Sequence, residues 1–545
     1  MDIVTLVLVM LLAVVVSNYI ARLSPLPLPL PLLQIALGAL LAHGMHFEVE
    51  LEPEIFFLVF LPPLLFLDGW RIPKRGFFRD GWTILALALG LVVFTVLGMG
   101  LFIHWLIPAM PLAVAFALAA VLSPTDPIAV SSVAARVPIP HRLMHILEGE
   151  SLLNDASGLV CLRFAVAAAL TGTFSLAEAS VTFLQLALGG VAIGVAVTVA
   201  VSFVQKRLLR HAGEDPGIQT LVSLLIPFGA YLAAEQMHTS GILAAVAAGI
   251  AMNYVENLGI ALAVTRMRRA AVWDTVQLAA NGAIFILLGE QLPRILASAA
   301  ETVNQAEHHD ESWLALYVVA ITLGLAALRF TWVWISVQFV LLHASQKGQP
   351  VERPSWHLVA VMALAGVKGA ITLAGVLTLP LVSLDGTPFP ARDLAIFLAM
   401  GVILLSLVVA SLSLPPLLRR LRLPPQPSHE HEEDEARGAA ARAAIRAIER
   451  VQHELAEGRD DADLFAEAAS QAMEPYHRSS DTRAQEPEEQ ERAQRRVAVE
   501  RHLRLVGLRA ERDELYHLRR ARHIEDETLR RLVREIDLTE ARYAS

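Results

Sequence analysis

The sequence predicts an all-α polytopic membrane protein with about 13 transmembrane helices and a helical cytoplasmic tail. Three observations carry that prediction. First, about a dozen near-uncharged apolar runs have roughly the twenty-residue length that crosses a hydrocarbon core. Second, 55% of the 545 residues are hydrophobic and only 18% are charged, most of the charges lying after residue 418. Third, the basic residues between apolar runs fall on alternate loops. One set of loops holds Arg22, Arg71, Lys74, Arg75, Arg79, Arg136, Arg142, Lys206, Arg207, Arg210, Arg266, Arg268, Arg269, Lys347 and Arg353. The other holds Arg294 and, at a span edge, Arg392, and is otherwise uncharged or acidic. This asymmetry places the N-terminus outside and the tail in the cytoplasm. The domains that follow are a transmembrane part over residues 1–422, a Pro- and acid-rich linker over 423–435 and a helical tail over 436–545.

The spans fall at 3–21, 27–43, 54–69, 82–107, 111–135, 142–170, 180–204, 217–235, 240–254, 271–292, 312–342, 355–381 and 392–417. The first reads as a span, because no basic leader precedes it and no small-residue cleavage site follows before Pro25. The single cysteine, Cys161, excludes an intramolecular disulfide and carries no metal spacing. Spans 5 and 12 contain helix-unfriendly sequence: SPTDP (123–127), and AGVKGAITLAG (365–375) with Lys368 in mid-span. They sit seven spans apart, so spans 1–6 and 8–13 read as an inverted repeat whose corresponding broken helices flank a midplane site.

Ionisable groups inside a bilayer are costly and mark an ion path. Unwinding at 123–127 exposes backbone carbonyls, and the Thr125 hydroxyl adds an oxygen. Asp126 is placed to offset positive helix N-termini, and Lys368 the negative C-terminal end in span 12. The plainer reading of Asp126 is a proline kink with a hydrogen-bonded acid. In span 6, Ser151 and Asp155 are four apart and share a face with Glu148. Glu150 and Asn154 lie on another face, about 140° round from Asp155. Asp155 therefore reads as a carboxylate that holds either a proton or a cation, the alternative being a helix–helix hydrogen-bonding group. Glu150 reads as one half of a buried ion pair with Lys368. Arg163 and Arg329, also within spans, read as structural partners for acids or carbonyls. Asn281 reads as a helix-packing amide, and Glu290 as lining the outer mouth. The histidines at 43, 46, 211, 238, 308 and 309 read as loop residues or pH sensors.

The segments TDPIAV, EGESLLNDASGLV and GVKGAITLA, with FLPPLLFLDGW in span 3, resemble the monovalent cation/proton antiporters. The match is to bacterial sodium/proton antiporters related to sodium/hydrogen exchangers. The resemblance implies a thirteen-span homodimer in the bacterial inner membrane, with a dimerisation domain and a mobile core that rocks like an elevator. It implies Na⁺ held at Asp155, Ser151 and Thr125, with Asp126 acting through water or the unwound backbone. Asn154 matches the electroneutral branch. Two departures stand out. Lys368 occupies a position where relatives carry arginine, and the acid after LPPLLF comes one residue late, at Asp68. That step turns the side chain by about 100°, leaving Asp68 as a cation ligand or a charge at the cytoplasmic mouth.

The tail reads as helices over 436–458 and 461–476 and a long run over 487–540. It has no phosphate loop or metal spacing, and nothing indicates nucleic acid. It reads as a regulatory or dimer-stabilising element, or as a charged tail with no specific role. The chain as a whole reads as a transporter, not an enzyme, exchanging Na⁺ and Li⁺ for protons without a cofactor. The competing readings are a K⁺/H⁺ or mixed Na⁺/K⁺ exchanger, a cation channel, and a non-transporting sensor.

Overall fold

The computed structural model describes residues 3–24, 29–45, 53–72, 81–126, 130, 141–172, 176–213, 215–256, 262–305, 312–346, 355–383, 385–420, 428–456, 462–481, 487–521, 523 and 526–544. Within these the structure is helical, the one β contact being an isolated bridge between Val382 and Pro388. The chain divides into two compact units, Met1–Leu421 and Arg422–Ser545.

The first unit contains α1 (Ile3–Leu23), α2 (Leu30–Met45), α3 (Pro53–Arg71), α4 (Gly81–Leu85), α5 (Val92–Leu106), α6 (Leu112–Leu122), α7 (His141–Thr171), α8 (Leu176–Ala212) and α9 (Pro216–Gln236). It continues with α10 (Gly241–Glu256), α11 (Ala263–Gln305), α12 (Ser312–Gln346), α13 (Trp356–Leu364), α14 (Ala370–Leu377) and α15 (Arg392–Arg420). Helix or a helical pair thus stands at each place where the sequence predicts a span. Among the described residues eight helical stretches are long and apolar enough to cross a membrane, and three more apolar helices are shorter. Helix is the form that satisfies every backbone donor and acceptor within the segment where no water is available. Where water is available the helices overrun the apolar runs, most clearly in α8 and α11, whose ends carry charge. A π-helical stretch, Ala86–Leu91, joins α4 to α5 and packs on α7, a feature the apolar pattern does not reveal.

Arg269 corrects one element of the loop pattern. It lies on α11, is 3% exposed, and binds Glu256 and Gln219. At the same end Trp70 Nε1 donates to Glu256 and Arg71 pairs with Asp274, so these basic residues tie helix ends together. Helices α2 and α11 approach closely enough that a Cβ on Gly289 would lie 1.9 Å from the Ile35 carbonyl oxygen. The α3–α10 contact has the same character at Gly249 against Phe66. Such small-residue contacts hold membrane helices together where no hydrophobic driving force operates between them. Against this set (α1–α3 and α8–α11) packs a second, α4–α7 with α12–α15, which contains both interrupted helices.

The second unit contains α16 (Ser428–Ala456), α17 (Ala462–Asp481), α18 (Pro487–Arg520) and α19 (Asp526–Ala544). Two expectations are corrected here. Helix α16 begins at Ser428, so residues 428–435 of the predicted linker are helical. The run over 487–540 is not one helix but two, with α19 folded back on α18. Leu505, Leu508, Leu515 and Leu518 form the less exposed face of α18, and the return of α19 covers apolar surface that a single helix would leave in water. Arg512 secures the hairpin through Asp537, at 2.7 Å, and Glu540.

Candidate ion-translocation site

Helix α6 stops at Leu122 because Pro124 follows and residues 124–126 are non-helical. Pro127, the second proline of this break, lies outside the described residues. The other interruption separates α13 from α14, with residues 366–369 unwound. The two breaks meet. The Asp126 amide donates to the Val367 carbonyl at 2.8 Å. The Lys368 ammonium donates to the Ser123 and Pro124 carbonyls at 3.1 and 2.9 Å. The Asp126 carboxylate lies against Gly369, where a Cβ would come 1.8 Å from Oδ2, so only glycine fits at the start of α14.

Each compensating charge therefore serves the opposite break. Asp126, from span 5, faces the N-terminal end of α14, and Lys368, from span 12, binds the carbonyls that end α6. This corrects the expectation that Lys368 offsets a helix end of its own span. The acceptors nearest in space lie across the break.

A second correction follows. Glu150 is not paired directly with Lys368 but with Arg329 of α12, through Nη1–Oε1 at 2.5 Å and Nη2–Oε2 at 2.7 Å. Both side chains are almost wholly buried. Arginine fits better than lysine because its planar fork meets a carboxylate in two parallel bonds. Its remaining Nε–H donates to the Met362 carbonyl at 2.9 Å. Thr125 belongs to this knot: its hydroxyl donates to Glu150 at 3.3 Å and accepts from Asn154 Nδ2 at 3.0 Å. The knot holds the unwound residues 123–126 against α7.

Asp155, 3% exposed, lies on the other face of α7. It lines a cavity of about 40 Å³ together with Asp68, Thr125, Asp126, Ser151, Asn281 and Thr372, and with apolar walls from Leu61, Leu64, Leu65 and Ile284. That volume holds a bare ion with a water or two. Ser151 Oγ donates to the Thr125 carbonyl at 2.8 Å, so its lone pairs are not used by that bond. Asp68 shares the cavity despite its one-residue offset. Glu148 is half-buried and is not among the lining residues. Arg163 pairs with Glu235 at 3.4 Å in a separate vestibule of about 1130 Å³, which Leu58, Leu159 and Arg392 also line. On α3 and α7 the two hollows are one turn apart, Leu58 against Leu61 and Leu159 against Asp155. Glu290 is buried and bonded to Gln291.

Sequence reasoning missed Thr372 and misplaced Asn281. Neither is itself charged, so no buried charge singles it out. For Thr372 a signal existed in its position, in the first turn after an unwound stretch.

Two interrupted helices that cross through each other's compensating charges, beside a buried carboxylate in an ion-sized cavity, define a secondary-transporter fold. The family model "Sodium/hydrogen exchanger, transmembrane" matches residues 7–420, and the chain belongs to that family of ion-transporting antiporters. It is 42% identical over 551 residues to a protein of Escherichia coli (strain K12) named "Uncharacterized Na(+)/H(+) exchanger YjcE", covering 99% of both chains. It is also 42% identical over 421 residues to the "Sodium, potassium, lithium and rubidium/H(+) antiporter" of Bacillus pumilus, covering 76% of this chain and 61% of that one. The fold is similar to that of the sodium proton antiporter MjNhaP1 of Methanocaldococcus jannaschii, with a TM-score of 0.58, 19% identity, and coverage of 77% of this chain and 99% of that one.

Proposed function

We propose that the chain exchanges Na⁺, and Li⁺, for protons across the bacterial cytoplasmic membrane, with Asp155 as the group both ions share. The observation that carries this reading is the placement of Asp155, buried within an ion-sized cavity beside two unwound backbones. A carboxylate there binds a proton or a cation but not both, because burial disfavours a bare negative charge. Competition at one group is sufficient to couple the two flows. The Ser151 hydroxyl and the Thr125 carbonyl supply neutral oxygen to the cation, and Asp126 and Asp68 make the cavity attractive to positive charge. A displacement of α7 and α14 past α3 by about one helical turn, roughly 5.4 Å, carries Asp155 from the cavity to the vestibule beyond Leu58. Glu150 and Arg329 are internally neutral and travel with it. With Asn154 rather than a second acid beside Asp155, one carboxylate handles one charge of either kind, and exchange is electroneutral. The N-terminus lies outside, the tail in the cytoplasm, and the membrane unit forms a homodimer.

The test is a full-length protein in proteoliposomes with an imposed pH gradient, given Na⁺, Li⁺ and K⁺ in turn. Asp155→Asn is expected to reduce cation-driven gradient collapse to the level of empty vesicles; retained exchange overturns the reading. An imposed membrane potential is expected to leave the Na⁺-driven rate unchanged, and a clear dependence refutes electroneutrality. A second reading, exchange of K⁺ as well as Na⁺, is favoured by the relatives in Bacillus pumilus and Bacillus subtilis, whose names include potassium and rubidium. The K⁺ arm of the same assay decides it.

A further inference from the structure

The cavity contains a neutral oxygen to which the sequence assigns no role. Thr372 stands in the first turn of α14, is 1% exposed, and lines the cavity that holds Asp155. Its hydroxyl makes no hydrogen bond among the described residues. Thr275, Thr322, Thr331 and Ser157 each donate to the carbonyl four residues back, at 2.7–2.9 Å. For Thr372 the residue four back is Lys368, which precedes the extended Gly369 (φ −141°, ψ −147°) and lies outside the helix. The break that admits the Asp126 carboxylate thus removes the acceptor that a helical threonine ordinarily uses.

The other neutral oxygens are more committed. The Thr125 hydroxyl is held between Glu150 and Asn154, and Ser151 donates its proton to the Thr125 carbonyl. Asn281 belongs to α11, in the set of helices opposite to the one that contains Asp155. Thr372 is on the same body as Asp155, so it accompanies the ion through any movement of that body. A hydroxyl on the cavity wall offers oxygen lone pairs that no bond takes up, and a monovalent cation, which is coordinated by oxygen dipoles, fits them.

We propose that Thr372 is a ligand of the transported monovalent cation: its hydroxyl oxygen coordinates the ion held by Asp155 and takes no part in binding the proton. The inference rests on the exchange at Asp155 proposed above and adds to it a residue that separates cation binding from proton binding. Loss of this oxygen weakens the cation alone. Under simple competition the apparent Na⁺ constant rises by one factor at every pH, while the proton constant stays where it was.

The experiment uses full-length protein in proteoliposomes, with Na⁺ titrated at several pH values, for wild type, Thr372→Val and Thr372→Ser. Thr372→Val is expected to raise the apparent Na⁺ constant about tenfold, the equivalent of one interaction of hydrogen-bond strength. The fitted proton constant is expected to be unchanged. Thr372→Ser restores the Na⁺ constant to within about twofold of wild type, because it keeps the oxygen. The melting temperature of purified Thr372→Val is expected to equal or exceed that of wild type, because the valine leaves no polar atom unsatisfied. An unchanged Na⁺ constant in Thr372→Val overturns the proposal. So does an equal rise in the serine and valine variants with a lowered melting temperature, which marks a packing role. Asp155→Asn in the same assay keeps the two levels apart. Its retained exchange defeats the site itself, whereas its loss alongside a normal Thr372→Val defeats only the ligand.

Discussion

Glu150 and Asp155 lie five residues apart on the same helix, and both are buried, yet their surroundings differ in kind. Glu150 has a fork of two guanidinium bonds and a threonine hydroxyl, and does not line the cavity that holds Asp155. Asp155 has a cavity, two further carboxylates on its walls and no direct cationic partner at ion-pair distance among the described residues. One acid is fully partnered within the protein; the other faces a cavity, where the proposed function places the transported ion. Helical geometry produces this division, because a five-residue step turns a side chain about 140° away. A cluster of acids in sequence is therefore a paired acid and a cavity-lining acid in space.

The contrast makes opposite demands on stability. Arg329→Met leaves the Glu150 charge buried and uncompensated and is expected to destabilise the protein by about 3–5 kcal/mol, measured by denaturant unfolding in detergent. The double variant Glu150→Gln/Arg329→Met is expected to regain most of that loss. If the double variant is as unstable as the single, the pair is not the scaffold described.

A smaller effect is expected at Lys368. Lys368→Met strips two buried carbonyls of their donor and is expected to cost about 1–3 kcal/mol, and Lys368→Arg less. Both are expected to retain Na⁺-dependent exchange, because the lysine binds backbone and not the passenger; abolished exchange in a folded Lys368→Arg protein blurs the division. Asp155→Asn completes the series with the smallest effect on stability. It replaces a buried carboxyl that has no ion pair with a neutral amide of the same shape, so its melting temperature is expected to match or exceed that of wild type while exchange is lost. A strongly destabilised Asp155→Asn places Asp155 with the scaffold instead.

The legible part of this arrangement was local. The i, i+4 spacing of Ser151 and Asp155 puts both on one cavity, and the prolines and glycines of spans 5 and 12 mark where the helices break. Which charge meets which was not legible. Lys368 and Arg329 are both intramembrane cations, and no local pattern says that the residue 179 positions from Glu150 is its partner. Carbonyl acceptors leave no trace in composition, so the true partners of Lys368 could not be read. Thr372 and Asn281 look like ordinary polar residues of apolar helices until the walls of the cavity are assembled. In the tail, the leucine pattern of residues 487–540 shows an apolar face but not that α19 folds back to cover it.

The crossed compensation also has a history in time. The carbonyls that end α6 receive their donor from Lys368, and 245 residues separate Ser123 from that lysine. At a synthesis rate of about 5–20 residues per second, roughly 12–50 s pass between the emergence of one and the emergence of the other. Throughout that interval the Ser123 and Pro124 carbonyls lack the ammonium donor that they have in the folded protein. Biogenesis of this protein therefore contains a built-in wait. The pairing of the two breaks is complete only after residue 368 has been made, late in the synthesis of the membrane unit.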